Sequence, residues 1–272
     1  MTAIVPVASI VGMIVTLIIA VGLPIVLAII VGRKWHANIK CLLLGMACFL
    51  IFALILEQIL HTIVQLSTGN LLIDNVFLRA IYGGLAAALF EETGRFVVMK
   101  YFMKKEMKKE NALMFGVGHG GIESIIIVGM TCVSNIITAI MINTGGLEKL
   151  LGALNENTMI TVEKSLEPLW TTPSSSFYLA GLERVSAIAF HICASYLVYR
   201  AVKDKKISFY LIAFLSHFAM DAGVVLLSNA ISQIALVELM LLAFVAALAV
   251  ITRFLFISEK DSFNVNFNNI PM

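Results

Sequence analysis

Seven long apolar runs divide the chain, at roughly 5–32, 40–66, 76–103, 112–143, 176–202, 207–229 and 233–257. A helix needs about 20 residues to cross the hydrocarbon core of a bilayer, and every run reaches that length. The pattern predicts an all-α fold, a polytopic transmembrane helical bundle with about seven spans. The third and fourth runs exceed the need, which predicts tilt or protrusion. Residues 1–258 read as a single transmembrane helical domain and 259–272 as a cytoplasmic tail. Neither internal repeats nor low-complexity tracts are visible. The long connection is 144–175, with Gly145, Gly146 and a Thr-Thr-Pro-Ser-Ser-Ser run at 171–176. Stretches such as 148–154 predict short interfacial helices. A loop of this length serves either as a lid or binding element or as a plain linker.

Composition agrees with the pattern. The 272 residues are 60% hydrophobic and 13% charged, against about 45–50% and about 25% in soluble domains. Charge then sets the direction. Arg33, Lys34 and Lys40 flank the first turn, and Lys100, Lys104, Lys105, Lys108 and Lys109 the third. Arg200, Lys203, Lys205 and Lys206 lie in the fifth, and Arg253 and Lys260 flank the last span. That places 14 of the 19 basic residues on one side. The opposite loops hold only Lys149 and Lys164. By the positive-inside rule the N-terminus lies outside and the C-terminus in the cytoplasm. The net charge of +2 belongs to these flanks and gives no reason to expect nucleic acid. No Lys or Arg precedes Arg33, so the first run reads as a retained helix, not a signal peptide. Cys41, Cys48, Cys132 and Cys193 fall in apolar runs without paired spacing and read as small buried hydrophobes.

Ionisable groups are costly in hydrocarbon and face a polar cavity or one another. Glu91, Glu92 and Arg95 lie in the third run, His119 and Glu123 in the fourth, His191 in the fifth, and His217 and Asp221 in the sixth. At about 1.5 Å rise per residue, Glu92 and the three histidines lie between about 10 and 16 Å from the basic end. One buried polar site on four helices is the simplest reading. Glu91 and Arg95 share a helix face by their i, i+4 spacing, and Glu92 points about a quarter-turn away. His119–Glu123 and His217–Asp221 repeat the i, i+4 geometry, so each carboxylate is expected to orient its imidazole. His191 has no acidic residue at i±4. Gly116, Gly118, Gly120 and Gly121 surround His119, and Gly116–Gly120 is a small-xxx-small packing pair. Each element also has a plain structural reading: an ion pair between helices, a bridging histidine, a packing glycine. Glu57, His61, Arg79, Glu183 and Arg184 lie nearer the other face and read as a second, structural polar layer. His36 is a loop residue beside Trp35.

Glu91-Glu92-x-x-Arg95, Phe115-x-x-x-His119 and His217-x-x-x-Asp221 on separate helices together resemble the CAAX-protease and bacteriocin-processing superfamily. Within it the chain is most similar to the bacterial YhfC family of intramembrane proteases, and His119-Gly-Gly-x-Glu123 strengthens the likeness. The resemblance runs from about span three to span six. It implies that Glu91 or Glu92 activates a water with His119, that His217 and Asp221 polarise the carbonyl or stabilise the oxyanion, and that Arg95 orients the glutamates. The prenyl-peptidase branch spaces its motif Glu-Glu-x-x-x-Arg; here there is one residue fewer, as in the PrsW-type branch. Which glutamate is the base stays open.

The preferred reading is therefore an intramembrane endopeptidase of a bacterial plasma membrane. It cuts a membrane-associated peptide or protein near the cytoplasmic half of the bilayer, with water supplied through a polar cavity. No cofactor is required in that reading. In the alternative, a zinc metalloprotease, His119, His217 and Glu92 hold Zn²⁺. An ion- or proton-coupled transporter is the rival of another class, since carboxylate and histidine relays also mark pumps, although transporters usually show two related halves. A third is a non-catalytic relative that binds without cutting.

Overall fold

Seven long helices form the bundle in the computed structural model, which describes residues 4–151 and 155–259. They are α1 (Val7–Lys34), α2 (Ile39–Thr68), α3 (Val76–Tyr101), α4 (Lys109–Asn143), α5 (Ser174–Asp204), α6 (Ile207–Ala230) and α7 (Ile234–Ser258). Six are long and apolar enough to cross a membrane. α3, at 26 residues, is as long but carries Arg79, Glu91, Glu92, Arg95 and Lys100. It packs along α6, α5 and α2. No strand occurs among the described residues.

Short polar caps start the helices where the apolar runs begin. The Asn38 side chain accepts from the Lys40 N–H at 3.0 Å, and that of Asn75 accepts from Leu78 N–H at 3.0 Å. These bonds satisfy amides that the first helical turn leaves free. Two helices contain a π-helical turn, Phe52–Glu57 in α2 and Ser124–Gly129 in α4. Such turns are frequent at functional sites, and the second follows directly on Glu123.

α5 is the central helix. In it, 72% of the most apolar stretch is buried, against 17–28% in the other helices long and apolar enough to span. Aliphatic residues such as Ile29, Leu43, Ile63 and Val250 point outward from the bundle, as lipid-facing positions do. The glycines around His119 let two helices approach α4 closely. A Cβ at Gly118 would stand 2.1 Å from the Leu42 carbonyl oxygen of α2, and one at Gly116 2.6 Å from Ile192 Cα of α5. The Gly116–Gly120 pair is thus a packing face, as its spacing predicts, and it faces α5.

The basic turns gather at one end. There Asn38 N–H donates to Asn111 Oδ1 at 2.8 Å, and Trp35 stacks near Phe256 with ring centroids 6.3 Å apart. Glu259 accepts from the hydroxyls of Tyr196 (2.8 Å) and Tyr199 (2.7 Å) and pairs with Lys203. Burial pushes the Glu259 carboxyl up, but these three donors hold it below the usual carboxylate range. The rest of the expected tail lies outside the described residues. At the opposite end the long connection forms the short helices Gly146–Leu151, Glu156–Leu166 and Pro168–Thr171. Leu147 and Leu169 pack there with Val5, Met13, Ala139 and Ile142. The connection therefore caps α1 and α4.

Single cysteines at Lys105 and Lys205 are expected to react with an impermeant thiol reagent only from the cytoplasm. Labelling of either from outside intact cells would overturn the orientation.

Candidate active site

The four helices bring their polar residues to one point around Glu91. Its Oε2 lies 2.8 Å from His119 Nε2, 3.2 Å from Arg95 Nη2 and 3.8 Å from His191 Nδ1. Its Oε1 is 4.0 Å from His217 Nε2. Glu92, a quarter-turn round α3, faces elsewhere: it pairs with Arg95 Nη1 and meets His217 Nδ1 at 2.7 Å. The three imidazoles stand side by side, with centroids 5.1 Å apart for His119–His191 and 5.8 Å for His191–His217. Phe49 and Phe190 close the cluster with edge contacts to His119 and His217. The common depth expected of these groups is observed.

The carboxylate partners differ from those the spacing predicts. Glu123 is not the partner of His119. It pairs with His191 Nε2 and accepts from Arg184 Nη1 at 3.1 Å. His119 is turned across the helix to Glu91, and the close approach of α5 at Gly120 presents His191 to Glu123 instead. His191 thus has an acidic partner, supplied by another helix. The i, i+4 expectation holds for His217, whose Nε2 is 3.5 Å from Asp221 Oδ2.

Arginine carries only donors, so the Arg95 Nη2 contact to His191 Nδ1 makes that nitrogen an acceptor. The proton of His191 then sits on Nε2, toward Glu123.

The second polar layer divides in two. Glu57 is buried and meets His61 at 3.2 Å, and His61 meets Tyr82 at 2.8 Å. Arg79 donates to the Ile73 carbonyl and is bonded to neither. Arg184, paired with Glu183 and Glu123, belongs to the site rather than to a separate layer. Its signal in the sequence is a seven-residue step from His191, two turns along the same face of α5.

Which residues suit a metal also departs from expectation. Among the described residues, Glu91, His119 and His191 each offer a donor atom within 4.8 Å of the others, and all three are buried. Glu92 and His217 are turned to each other and are not in this set. The donors fit a metal chemically, because two imidazoles and a carboxylate are a catalytic zinc set. His119 Nδ1 and Glu92 Oε2 are also buried with no hydrogen-bond partner, so the site has more polar capacity than its own side chains satisfy. A cavity of about 300 Å³, lined in part by Glu91, Glu123, His191, His217 and Asp221, adjoins the cluster. At about 30 Å³ per water it has room for several.

A family model described as YhfC intramembrane metalloprotease matches residues 18–241, a stretch that contains every residue of the cluster. The chain belongs to the YhfC intramembrane metalloprotease family. A YhfC relative from Bacillus subtilis (strain 168), "Uncharacterized membrane protein YhfC", is 37% identical over 235 residues, 85% of this chain and 90% of that protein. No solved structure matches. The protein is thus a multi-pass bacterial membrane protein of a peptidase family. The YhfC description, a metalloprotease, implies a metal, and the expectation that none is required finds no support in it.

Proposed function

We propose that this protein is a metal-dependent intramembrane endopeptidase whose ligands are Glu91, His119 and His191. The convergence of these three buried donors beside a cavity with room for several waters carries the reading. A divalent ion such as Zn²⁺ held by them would polarise a peptide carbonyl and make a water acidic enough to ionise near neutral pH.

The side chains supply the rest. The Glu123 carboxylate stands against His191 Nε2 and would favour the proton there, leaving Nδ1 for ligation. Arg184 holds Glu123 in that position. His217, backed by Asp221 and lining the cavity, donates to the carbonyl oxygen or the departing amine. Glu91 Oε1, toward His217, receives a proton from the attacking water. Glu92 is fully buried between Arg95 and His217 and positions both. Burial of Glu91, Glu92, His119, His191 and His217 strengthens their interactions over the value in water.

One observation favours a second reading, a Glu91-activated water without a metal. Arg95 Nη2 lies against both Glu91 Oε2 and His191 Nδ1 and supplies a positive charge at two of the ligand atoms.

Elemental analysis of purified protein separates the two. About one zinc per chain is expected, lost in His119→Ala and in His191→Ala but kept in His217→Ala. Zinc should raise the unfolding temperature of the wild type and of His217→Ala only. Metal retained by both His119→Ala and His191→Ala would remove this ligand set. Full cleavage by metal-free protein would establish the second reading.

A further inference from the structure

The site is closed toward the basic end of the bundle. From Glu91 and His191 toward that end, Met99, Met103, Phe115, Ala194, Leu197 and Val198 follow, each no more than 1% exposed and packed in one apolar cluster. Ser195, one turn from His191, is fully buried there, and the cavity of about 500 Å³ at that end, beside Cys193, Tyr196 and Thr252, is lined by none of the cluster's ionisable residues.

The opposite direction is different. Glu123 lies one turn farther from the basic end than His119, Asp221 one turn farther than His217, and Glu183 two turns farther than His191. Side-chain exposure rises along the same path. It is 0% at Glu92 and Arg95, 9% at Glu91, 13% at Glu123, 31% at Asp221 and 34% at Glu183. The cavity follows this gradient between α5, α6 and α7. Val224, Val225 and Leu241 form its apolar wall, and Glu183 and Arg184 face them. The long connection of that end is packed on α1 and α4, and none of its described residues lines the cavity.

We infer that water and substrate reach the site from the end of the bundle opposite the basic loops, between α5, α6 and α7. The site lies nearer the basic end, but its entrance is at the other. Under the peptidase reading, on which this rests, the substrate is a peptide segment presented from the non-cytoplasmic side. Its apolar side chains lie along Val224, Val225 and Leu241. Its backbone amides and carbonyls meet the ionic wall, because in a cavity within the bilayer unpaired peptide groups are costly.

The test is the labelling of single cysteines by an impermeant maleimide in intact cells and in inverted vesicles. Val224→Cys and Val225→Cys report the cavity, Ser232→Cys its own end and Lys205→Cys the basic end. The native cysteines are all buried, so the parent protein is the background, and size-exclusion elution checks that each variant folds. Both cavity cysteines are expected to react from the Ser232 side at least 10-fold faster than from the Lys205 side. Reaction from the Lys205 side alone, or none from either side while Ser232→Cys reacts, would overturn the inference. Labelling needs neither substrate nor metal, so its outcome is separate from the fate of the peptidase reading.

Discussion

Glu91→Gln is expected to abolish peptide hydrolysis and metal binding in a protein that still folds, whereas Glu92→Gln should mainly destabilise. The two carboxylates are neighbours in sequence, but their surroundings differ. Glu91 lines the cavity and meets His119, His191 and Arg95. A glutamine there loses the charge that draws a cation and cannot take a proton from water. A loss of at least about 10³-fold in kcat/KM follows, equal to about 4 kcal/mol of transition-state stabilisation. Folding survives because Arg95 keeps its pair with Glu92. Glu92→Gln instead removes the closer partner of a fully buried guanidinium. Breaking such a pair costs about 3–5 kcal/mol. Thermal unfolding in detergent, zinc content and cleavage of membrane peptides, measured on both variants, check the contrast. Full activity and full zinc in Glu91→Gln would remove Glu91 from the centre of the site.

Gly118→Ala should be among the most damaging single-carbon changes in the bundle. The added Cβ would stand 2.1 Å from the Leu42 carbonyl oxygen and 2.9 Å from its carbon. Both are backbone atoms, so no side-chain rotation relieves the clash. The contact is reciprocal, because a Cβ at Gly45 would stand 2.1 Å from the Phe115 carbonyl oxygen. Separating α2 from α4 is the remaining relief, and His119 is the next residue. Overpacking costs about 1–3 kcal/mol in ordinary cores, occasionally more, and here a helix pair must part. A loss of at least about 3 kcal/mol is expected, with reduced zinc binding as His119 moves from Glu91. Gly83→Ala is the control, since nothing lies within 4 Å of its added carbon. An unfolding temperature equal to that of Gly83→Ala would show that the helices do not meet as described.

Much of the site was legible before any fold. Glu91, His119, His191 and His217 stand out because each is an expensive residue type in an apolar run, and their distances from the basic end follow from helical rise alone. The partners were not legible. Glu123 was assigned to His119 by i, i+4 spacing, yet it serves His191, because the rotation of α4 against α5 decides which imidazole it meets. Arg184 was assigned to an outer layer, yet it meets Glu123 of α4, which lies one turn beyond His119 toward that end. Helix rotation also decides which donors converge: Glu91, His119 and His191 lie within 4.8 Å of one another, while the expected Glu92 and His217 are turned to each other. The π turns at Phe52–Glu57 and Ser124–Gly129 leave no mark in an otherwise apolar run.

The sequence by itself determined the number and length of the helices, the end that carries the basic turns and the residues that do not belong in hydrocarbon. These are per-residue transfer costs, set by side-chain chemistry and additive along a span. Only the tertiary structure decided which carboxylate faces which imidazole and which helices wall the cavity beside them. Those outcomes depend on how helices rotate and how closely their glycines let them approach, and an apolar run holds almost no record of either.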